Sequence, residues 1–356
     1  MPDLNSIEEA LSPLGYNKAR LKCLAAALVA LLTIQSVNLK KIANLFPTNA
    51  KADSAYKRLQ RLLRFFEPDR DSLAKILAAI CKVAPPWNLS MDRTNWKLGK
   101  LHLNVLMLAV VAGPISFPLM WTVLDRDGEG KAGNSNTGER VALMRRFVRL
   151  FGSASCACLR ADREFASVGF VAWLEGAGVS HQLRLKGDTL IADARGNPCP
   201  AYLLLANCPV QKERILGWRT VLGRRRFVCG TRLVDGDYLI LLSDVERPLS
   251  EYALRWGIEP MFGAFKSRGF DLEATHVTDP VRLSRLLCLL SLAYCWAGSC
   301  GLWVFEERGL RVKKHGRMPV SAFRLGLDFL QPIVAKLCRT VNNCQSATAM
   351  RFLSCT

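Results

Sequence analysis

The sequence predicts an α/β protein in which a mixed sheet is flanked by helical regions. Three observations lead to this fold class. Apolar residues recur with a helical period before Pro85-Pro86, strand-like runs begin directly after it, and helical periodicity returns from about residue 248. The chain has 356 residues, 50% of them hydrophobic, which suffices for a sizeable core in one or two domains with an appendage. This composition excludes disorder as the main state.

Residues 1–86 are predicted to form a helical DNA-binding domain. Helices are expected at 18–34, 39–46 and 53–66, with a break at 47–49 between the last two. A short helix, a turn and a basic helix suit insertion into a DNA groove, although a solvated basic face is the alternative. Three basic residues of the third helix are the expected DNA contacts: Lys57, Arg58 and Arg61.

Residues 87–187 are predicted to form the first part of the sheet core. Three strands, at 87–92, 101–111 and 115–124, read as antiparallel neighbours, and a polar loop follows at 125–138. The pattern then alternates between helix and strand, at 139–151, 155–161, 165–175 and 181–186. Three antiparallel strands followed by helix, strand, helix and strand is the order of the ribonuclease H-like fold. We therefore predict a ribonuclease H-like mixed-sheet core.

The rest of the chain completes this predicted organisation. Residues 188–247 read as a β-rich insertion, with strands at 201–205, 220–221, 226–229 and 238–242. Residues 248–300 resume the core with a helix around Glu259 and an apolar helix at 280–297. Residues 301–356 are predicted to be a helical C-terminal region.

Charge and cysteine usage narrow the possible partners and location. The 49 Lys and Arg against 30 Asp and Glu give a net charge of +19, which favours a polyanion, and nucleic acid above all. A basic protein without such a ligand is the alternative. The 13 cysteines include no Cys-x-x-Cys, so we expect free thiols in a reducing cytoplasm. The apolar runs at 24–34 and 286–297 are too short to cross a membrane, and no membrane partner is expected.

Three acids are the candidate catalytic residues. Asp92 and Asp162 end apolar strands, where packing gives an acid no role, and Glu259 lies on a predicted helix. If the three meet, they form an oxygen-only site suited to a hard divalent cation. Two such ions can assist an in-line displacement at phosphorus. Each acid taken alone could equally be a helix cap or a surface carboxylate.

Polar residues around Glu259 share one predicted helix face. On a continuous α-helix, Tyr252, Arg255, Glu259 and Lys266 fall within a stripe about 60° wide, since each residue turns the helix by about 100°. Such a stripe could hold phosphates beside a metal-binding acid.

These motifs resemble those of DDE transposases of the insertion sequence 4 family. The family signature is Tyr, two residues, Arg, three residues, Glu, six residues, Lys, and this chain meets it without departure. The sequences around Asp92 (Asp-Arg-Thr-Asn-Trp) and Asp162 (Ala-Asp-Arg-Glu-Phe) also match, at separations of 70 and 97 residues along the three acids. The resemblance covers about residues 85–300, including the β-rich insertion.

The resemblance implies a cut-and-paste transposase. Asp92, Asp162 and Glu259 would bind Mg²⁺ or Mn²⁺, as two ions, and hydrolyse phosphodiesters before strand transfer at insertion-sequence ends. Tyr252, Arg255 and Lys266 would contact backbone phosphates of the DNA. The partners implied are double-stranded DNA, both element ends and target, and a second copy in a homodimer, in the cytoplasm and nucleoid of a bacterial-type cell.

Two questions stay open at this point. In relatives a tryptophan of the insertion stacks on a flipped base; Trp218 is the insertion's one tryptophan, and a buried core tryptophan is the alternative. The function also has rivals: a non-catalytic DNA-binding repressor derived from a transposase, or a ribonuclease H-like nuclease that joins no strands.

Overall fold

The computed structural model describes six stretches of the chain: residues 4–46, 51–98, 101–124, 134–277, 279–313 and 318–337. Three sequence-based predictions lie partly or wholly outside them. These are the break at 47–49, most of the polar loop at 125–138, and the C-terminal region beyond residue 337.

The N-terminal region is helical, as predicted. Its helices are α1 (Leu4–Ala10), α2 (Lys18–Ile34), α3 (Leu39–Asn44), α4 (Ala52–Phe65) and α5 (Arg70–Cys81). Asparagine and aspartate side chains fix where several of them begin, because they accept hydrogen bonds from backbone N–H groups of the first turn. The caps are Asn17 for α2, Asn38 for α3 and Asp69 for α5.

The central sheet begins with the predicted ribonuclease H-like arrangement. Its first five strands are β1 (Trp87–Leu98), β2 (Leu101–Ala112), β3 (Ile115–Leu124), β4 (Cys156–Ala161) and β5 (His181–Leu185). They lie in the order β3-β2-β1-β4-β5. The first three are antiparallel, whereas β4 runs parallel to both β1 and β5. This topology confirms the predicted fold class.

The insertion extends the same sheet. Its strands are β6 (Leu190–Ala192), β7 (Pro198–Pro200), β8 (Arg214–Val221), β9 (Arg224–Arg232) and β10 (Tyr238–Ser243). Because β10 pairs with β5, the described residues form one ten-stranded sheet that continues β5-β10-β9-β8-β6-β7. The strand predicted at 201–205 is wrong: Ala201–Leu205 is a 3-10 helix. Five apolar residues in a row carry no periodicity that separates a strand from a buried helical turn.

Helices cover both faces of the sheet. They are α6 (Thr137–Phe151), α7 (Val168–Gly176), α8 (Ile258–Phe265), α9 (Pro280–Glu307) and α10 (Ala322–Leu337). The apolar residues of α6 and α7 pack on one face with those of β1, β4 and β5. On the other face, α8, α9 and α10 share a core with the N-terminal helices and with β2 and β3. The helices from the two ends of the chain are thus parts of one packed layer.

Helix α9 is longer than its predicted apolar run. Among the described residues it is one helix of 28 residues with the length and composition to cross a membrane. However, 89% of its apolar window is buried inside the protein, as in the core helix of a globular domain.

Candidate active site

Asp92 lies inside β1 rather than at its end. The strand was expected to stop at this acid, but it continues to Leu98 because β2 pairs with it along its whole length. The parallel neighbour β4 stops earlier, where Ala161 pairs with Met91. Asp92 is therefore the first residue of β1 beyond the end of β4. Its side chain is 18% exposed at this edge of the sheet.

Asp162 directly follows β4, as the sequence predicted. Parallel strands end at the same edge of a sheet, so this position brings Asp162 to the edge that carries Asp92. Its Oδ1 atom is buried and has no hydrogen-bond partner, and the nearest cation is the Arg184 Nη1 atom at 3.7 Å.

The helix around Glu259 has two parts, which corrects the continuous α-helix predicted for residues 252–266. A 3-10 helix, Leu249–Gly257, leads into α8, and Lys266 follows the last residue of α8. The common face predicted for the four polar residues assumed a turn of 100° per residue, and this assumption does not hold for the 3-10 part. A 3-10 helix instead superimposes residues three apart, which places Tyr252 and Arg255 on one face. Both are buried.

Arg255 joins two of the predicted acids. Its guanidinium donates to Asp92 Oδ2 at 3.2 Å and to Glu259 Oε1 at 3.0 Å, and its side chain is 7% exposed. Although burial opposes its charge, the charges of Tyr252, Asp92, Asp162 and Glu259 raise the pKa of Arg255 above its ordinary value. All three predicted acids thus act on the same guanidinium.

Burial dominates the electrostatics of Asp92. It raises the pKa of the Asp92 carboxyl to about 6, and the negative charge of Asp162 acts in the same direction. The backbone N–H of Arg93, which donates to Asp92 Oδ1 at 2.7 Å, and the Arg255 charge lower the pKa. A buried acid beside another acid is stable as an anion only with cations nearby, and Arg255 supplies one.

The other two signature residues have different surroundings. The Tyr252 hydroxyl donates to the backbone oxygen of Ala161, the residue before Asp162, at 3.2 Å, and Tyr252 is 1% exposed. Here it connects the 3-10 helix to the end of β4, so its expected phosphate contact remains a prediction. The Lys266 ammonium lies 5.9 Å from the centre of the Trp96 ring, and burial lowers its pKa.

Trp218 is an exposed tryptophan on β8. It is 41% exposed, which contradicts the alternative of a buried core residue. Its ring meets the edge of Phe227 at 6.1 Å, and Phe227 belongs to a small apolar cluster that also contains Tyr252. Trp218 therefore borders the sheet face that carries the signature helix. Base stacking by Trp218 remains a prediction.

The predicted DNA contacts of α4 lie on its outer side. Lys57 and Arg61 are exposed and Arg58 is half-buried. Arg58 and Arg61 line a shallow cleft of about 310 Å³ against α2, together with Arg20 and Phe65. The α4 surface is thus basic with an aromatic rim, which suits nucleic acid.

The donor atoms at the site fit a hard divalent cation by their chemistry. All three are carboxylates, and the Asp162 Oδ1 atom, which has no hydrogen-bond partner, could accept a cation. Among the residues that the structure describes, however, no three acidic, histidine or cysteine side chains stand close enough to form a metal cluster. The Arg255 guanidinium stands between Asp92 and Glu259 and forms an ion pair with each.

A buried polar strip seats the 3-10 helix on the sheet, and the sequence reasoning missed it. Arg160 on β4 is 1% exposed and donates to Asn88 at 2.8 Å, to Gln182 at 3.2 Å and to Glu251 of the helix at 2.7 Å. The Ser90 hydroxyl donates to the Arg255 backbone oxygen at 3.2 Å. In the sequence, polar residues at every second position of β1 before Asp92, namely Asn88 and Ser90, could have indicated this strip.

Three further charged residues near the acids were also missed. Arg93 follows Asp92, Glu164 follows Asp162 by two positions, and Arg184 lies beside Asp162 on β5. Arg93 and Glu164 could have been identified from the sequence, because each lies within two positions of a candidate acid. Arg184 had no such signal, because the pairing of β4 with β5 brings it there.

Comparison with known proteins gives one family match. A family model described as "Transposase DDE domain" matches residues 131–296, somewhat under half of the chain. The matched segment contains Asp162 and the four signature residues, among them Glu259, and it begins after Asp92. No curated protein matches the sequence. The family match supports a DDE transposase.

One solved structure with a similar shape is a "piggyBac transposase synaptic complex with hairpin DNA", determined by cryo-electron microscopy. The two chains are 11% identical, with a TM-score of 0.49, and the similarity covers 94% of this chain and 78% of the other. The fold assignment rests on the strand order described above.

Proposed function

We propose that this protein is a cut-and-paste DNA transposase of the insertion sequence 4 type. It would hydrolyse phosphodiesters at insertion-sequence ends in a metal-dependent reaction and then transfer the freed strand to target DNA. The observation that carries the proposal is the contact of the buried Arg255 guanidinium with both Asp92 and Glu259, next to the strand end that Asp162 follows. The resemblance of the signature and the family match support it.

Each residue has a distinct task in this proposal. Asp92, Asp162 and Glu259 would hold Mg²⁺ or Mn²⁺, as two ions, which when bound supply charge stabilisation at the attacking and leaving oxygens. Arg255 would offset part of the carboxylate charge, and it has the planar fork that binds phosphate in a bidentate manner. Lys266 and Tyr252 would complete the phosphate contacts. Positioning and electrostatics do most of the work in phosphoryl transfer, so no protein nucleophile is needed.

The partners follow from the charged surfaces. The net charge of +19 favours DNA, and Lys57, Arg58 and Arg61 of α4 would contact the duplex, with Trp218 stacking on an unpaired base. We further propose a homodimer on DNA that acts at the nucleoid in the cytoplasm of a bacterial-type cell.

A cleavage assay tests the proposal. The purified protein is mixed with Mg²⁺ and a labelled duplex that carries the DNA flanking its own coding region, and nicked and joined products are separated. We expect Glu259→Gln to lower cleavage about a hundredfold or more, since several kcal/mol of transition-state stabilisation is lost. Glu246→Gln, the same change at an exposed acid before the signature helix, is the matched control.

The products distinguish the rival functions. Nicks together with joined strands support a transposase, whereas nicks alone indicate a nuclease. Binding without any cleavage indicates a repressor. Equal cleavage by wild type and Glu259→Gln would refute the assignment of the site.

A further inference from the structure

An ion pair connects the chain segments that follow two of the candidate acids. Arg93 comes directly after Asp92, and Glu164 comes two residues after Asp162. The Arg93 Nε atom donates to Glu164 Oε1 at 3.2 Å, and its Nη2 atom donates to Oε2 at 3.1 Å. The two side chains are 13% and 19% exposed. The contact is therefore bidentate and largely shielded from water, the geometry in which such pairs are strongest.

Further contacts fix the orientation of the Arg93 guanidinium. It donates to Asn95 Oδ1 at 2.8 Å and to Asn134 Oδ1 at 2.9 Å. Glu164 is followed by Phe165, whose buried ring lies 4.9 Å from the guanidinium of Arg140. Arg140 in turn donates to the Ser135 hydroxyl at 2.8 Å. The ion pair thus belongs to a network that reaches the start of α6.

The pair occupies the place where the backbone ladder stops. β1 and β4 pair only as far as Met91 and Ala161, so no backbone hydrogen bond of this ladder fixes the separation of the two acids that follow. Successive residues of a strand point to opposite faces. Arg255 meets Asp92 from one face of the sheet, and Arg93 reaches Glu164 on the other. Beyond the last backbone pair of β1 and β4, the Arg93–Glu164 side-chain contact takes the place of ladder hydrogen bonds beside the two acids.

We infer that Arg93 and Glu164 form a positioning pair that sets the separation of Asp92 and Asp162 and thereby the affinity of the site for a divalent cation. This inference rests on the proposed function, in which those two acids hold the cation. The pair touches no reacting atom in this role. It acts through the end of β4 and the adjacent part of β1.

Positioning and simple electrostatics predict opposite effects on cation binding when the Arg93 charge is removed. Removal of the Arg93 charge leaves the site more negative, so charge alone predicts tighter cation binding in Arg93→Gln. Loss of positioning predicts weaker binding. Residues that orient metal ligands typically change metal affinity by about 10- to 100-fold when replaced. We therefore expect Arg93→Gln to weaken cation binding at least about tenfold.

Tb³⁺ luminescence measures this affinity without any DNA or catalysis. The full-length protein is titrated with Tb³⁺, a hard oxygen-seeking ion, and the luminescence is excited through tryptophan. Trp96 lies four residues after Asp92 on the same face of β1. Arg93→Gln and Glu164→Gln should each weaken binding, and exchange of the two charges in Arg93→Glu/Glu164→Arg should restore much of it. Arg93→Lys, which keeps the charge but not the fork, should fall between.

Controls separate this inference from the proposed function. Arg146→Gln breaks a pair of similar burial, with Asp71 at 2.8 Å, away from the strand ends, and should leave Tb³⁺ binding unchanged. If Asp92→Asn and Asp162→Asn do not weaken binding, the proposed metal site is wrong. If they do, while Arg93→Gln and Arg93→Lys bind as tightly as wild type or tighter, the positioning pair is refuted. Circular dichroism tests whether each variant is folded. If Arg93→Gln does not fold, Tb³⁺ binding by Arg93→Lys decides whether the pair positions the acids.

Discussion

Arg255 determines the electrostatic state of the site at the scale of a single residue. Burial makes the Asp92 anion costly, and the guanidinium at 3.2 Å offsets that cost while also binding Glu259. Removal of only one partner from such a buried pair leaves an uncompensated charge. A phosphate and a cation that enter together would satisfy the same groups, since the phosphate can take the arginine and the cation the carboxylates. In the proposed function, DNA and metal would therefore bind in concert.

His181 is a buried base whose titration should appear in the stability of the protein. It is fully buried, its Nδ1–H donates to the Val179 oxygen at 3.1 Å, and its Nε2 atom has no partner. Burial lowers its pKa below 6.5, although that hydrogen bond and the charges of Asp244 and Glu175 oppose the shift. The folded state therefore binds fewer protons than the unfolded state below pH 6.5, and stability falls as the pH falls through this range.

We expect His181→Gln to lose this part of the pH dependence. In urea denaturation at pH 7.5, 6.5 and 5.5, the unfolding free energy of the wild type should fall relative to that of His181→Gln as the pH decreases. His276, exposed in the loop before α9, provides the control substitution His276→Gln. A difference for His181→Gln that stays constant over the three pH values would contradict a lowered pKa.

At the scale of elements, the strands of the core were predicted better than those of the insertion, and the signature helix was not predicted correctly. The strand at 115–124 agrees with β3 at both ends, because a run of buried β-branched and aromatic residues between turn residues needs no tertiary information. The 3-10 helix Leu249–Gly257 depends on contacts from distant segments. Arg160 holds Glu251, and a Cβ on Gly257 would come within 2.7 Å of the Ser116 hydroxyl. Such contacts override helical periodicity.

The candidate site was predictable in its residue types but not in its pairings. Acids after apolar strands pointed to Asp92 and Asp162, and the signature pointed to Glu259. The position of Arg255 between two acids, and the Arg93–Glu164 pair, depend on the register of β1 against β4. One sequence carries no direct information about register between strands so far apart in the chain.

The crossing of α9 and α10 allows a direct test of packing. A Cβ on Gly326 would lie 1.7 Å from the Ala297 backbone oxygen, and one on Gly301 would lie 1.7 Å from that of Ala322. Neither helix can accept a methyl group there without moving apart. We expect Gly326→Ala to destabilise the protein by about 1–3 kcal/mol or more, although alanine is the better helix former.

Urea denaturation followed by circular dichroism measures this effect. Gly176→Ala, at the end of α7, is the matched control because its Cβ would meet no atom within 4 Å. We expect the control to change stability by less than about 1 kcal/mol. Equal stability of the two variants would show that the helices do not cross as closely as described.

At the scale of the whole molecule, helix α4, which carries the basic face, packs against the layer that covers the sheet. Arg285 of α9 donates to the backbone oxygens of Leu63 and Arg64 at the end of α4. The N-terminal and C-terminal helices also share one core. DNA bound along α4 would therefore keep a constant position relative to Asp92 and Glu259. Whether α4 contacts DNA or is a solvated basic face is decided by experiment.

Salt dependence of DNA binding tests that role, since each phosphate neutralised lowers the slope of log K against log salt by about 0.9. If α4 contacts DNA, replacing Lys57, Arg58 and Arg61 by glutamine should make the slope shallower by about 2 to 3. The control replaces three exposed basic residues elsewhere, Lys75, Arg145 and Arg195, by glutamine and lowers the net charge equally. Because counterion release reports contacts rather than total charge, the control should retain nearly the full slope. Equal slopes in the two triple variants would mean that DNA binds through the general field of the protein, with α4 as a solvated basic face.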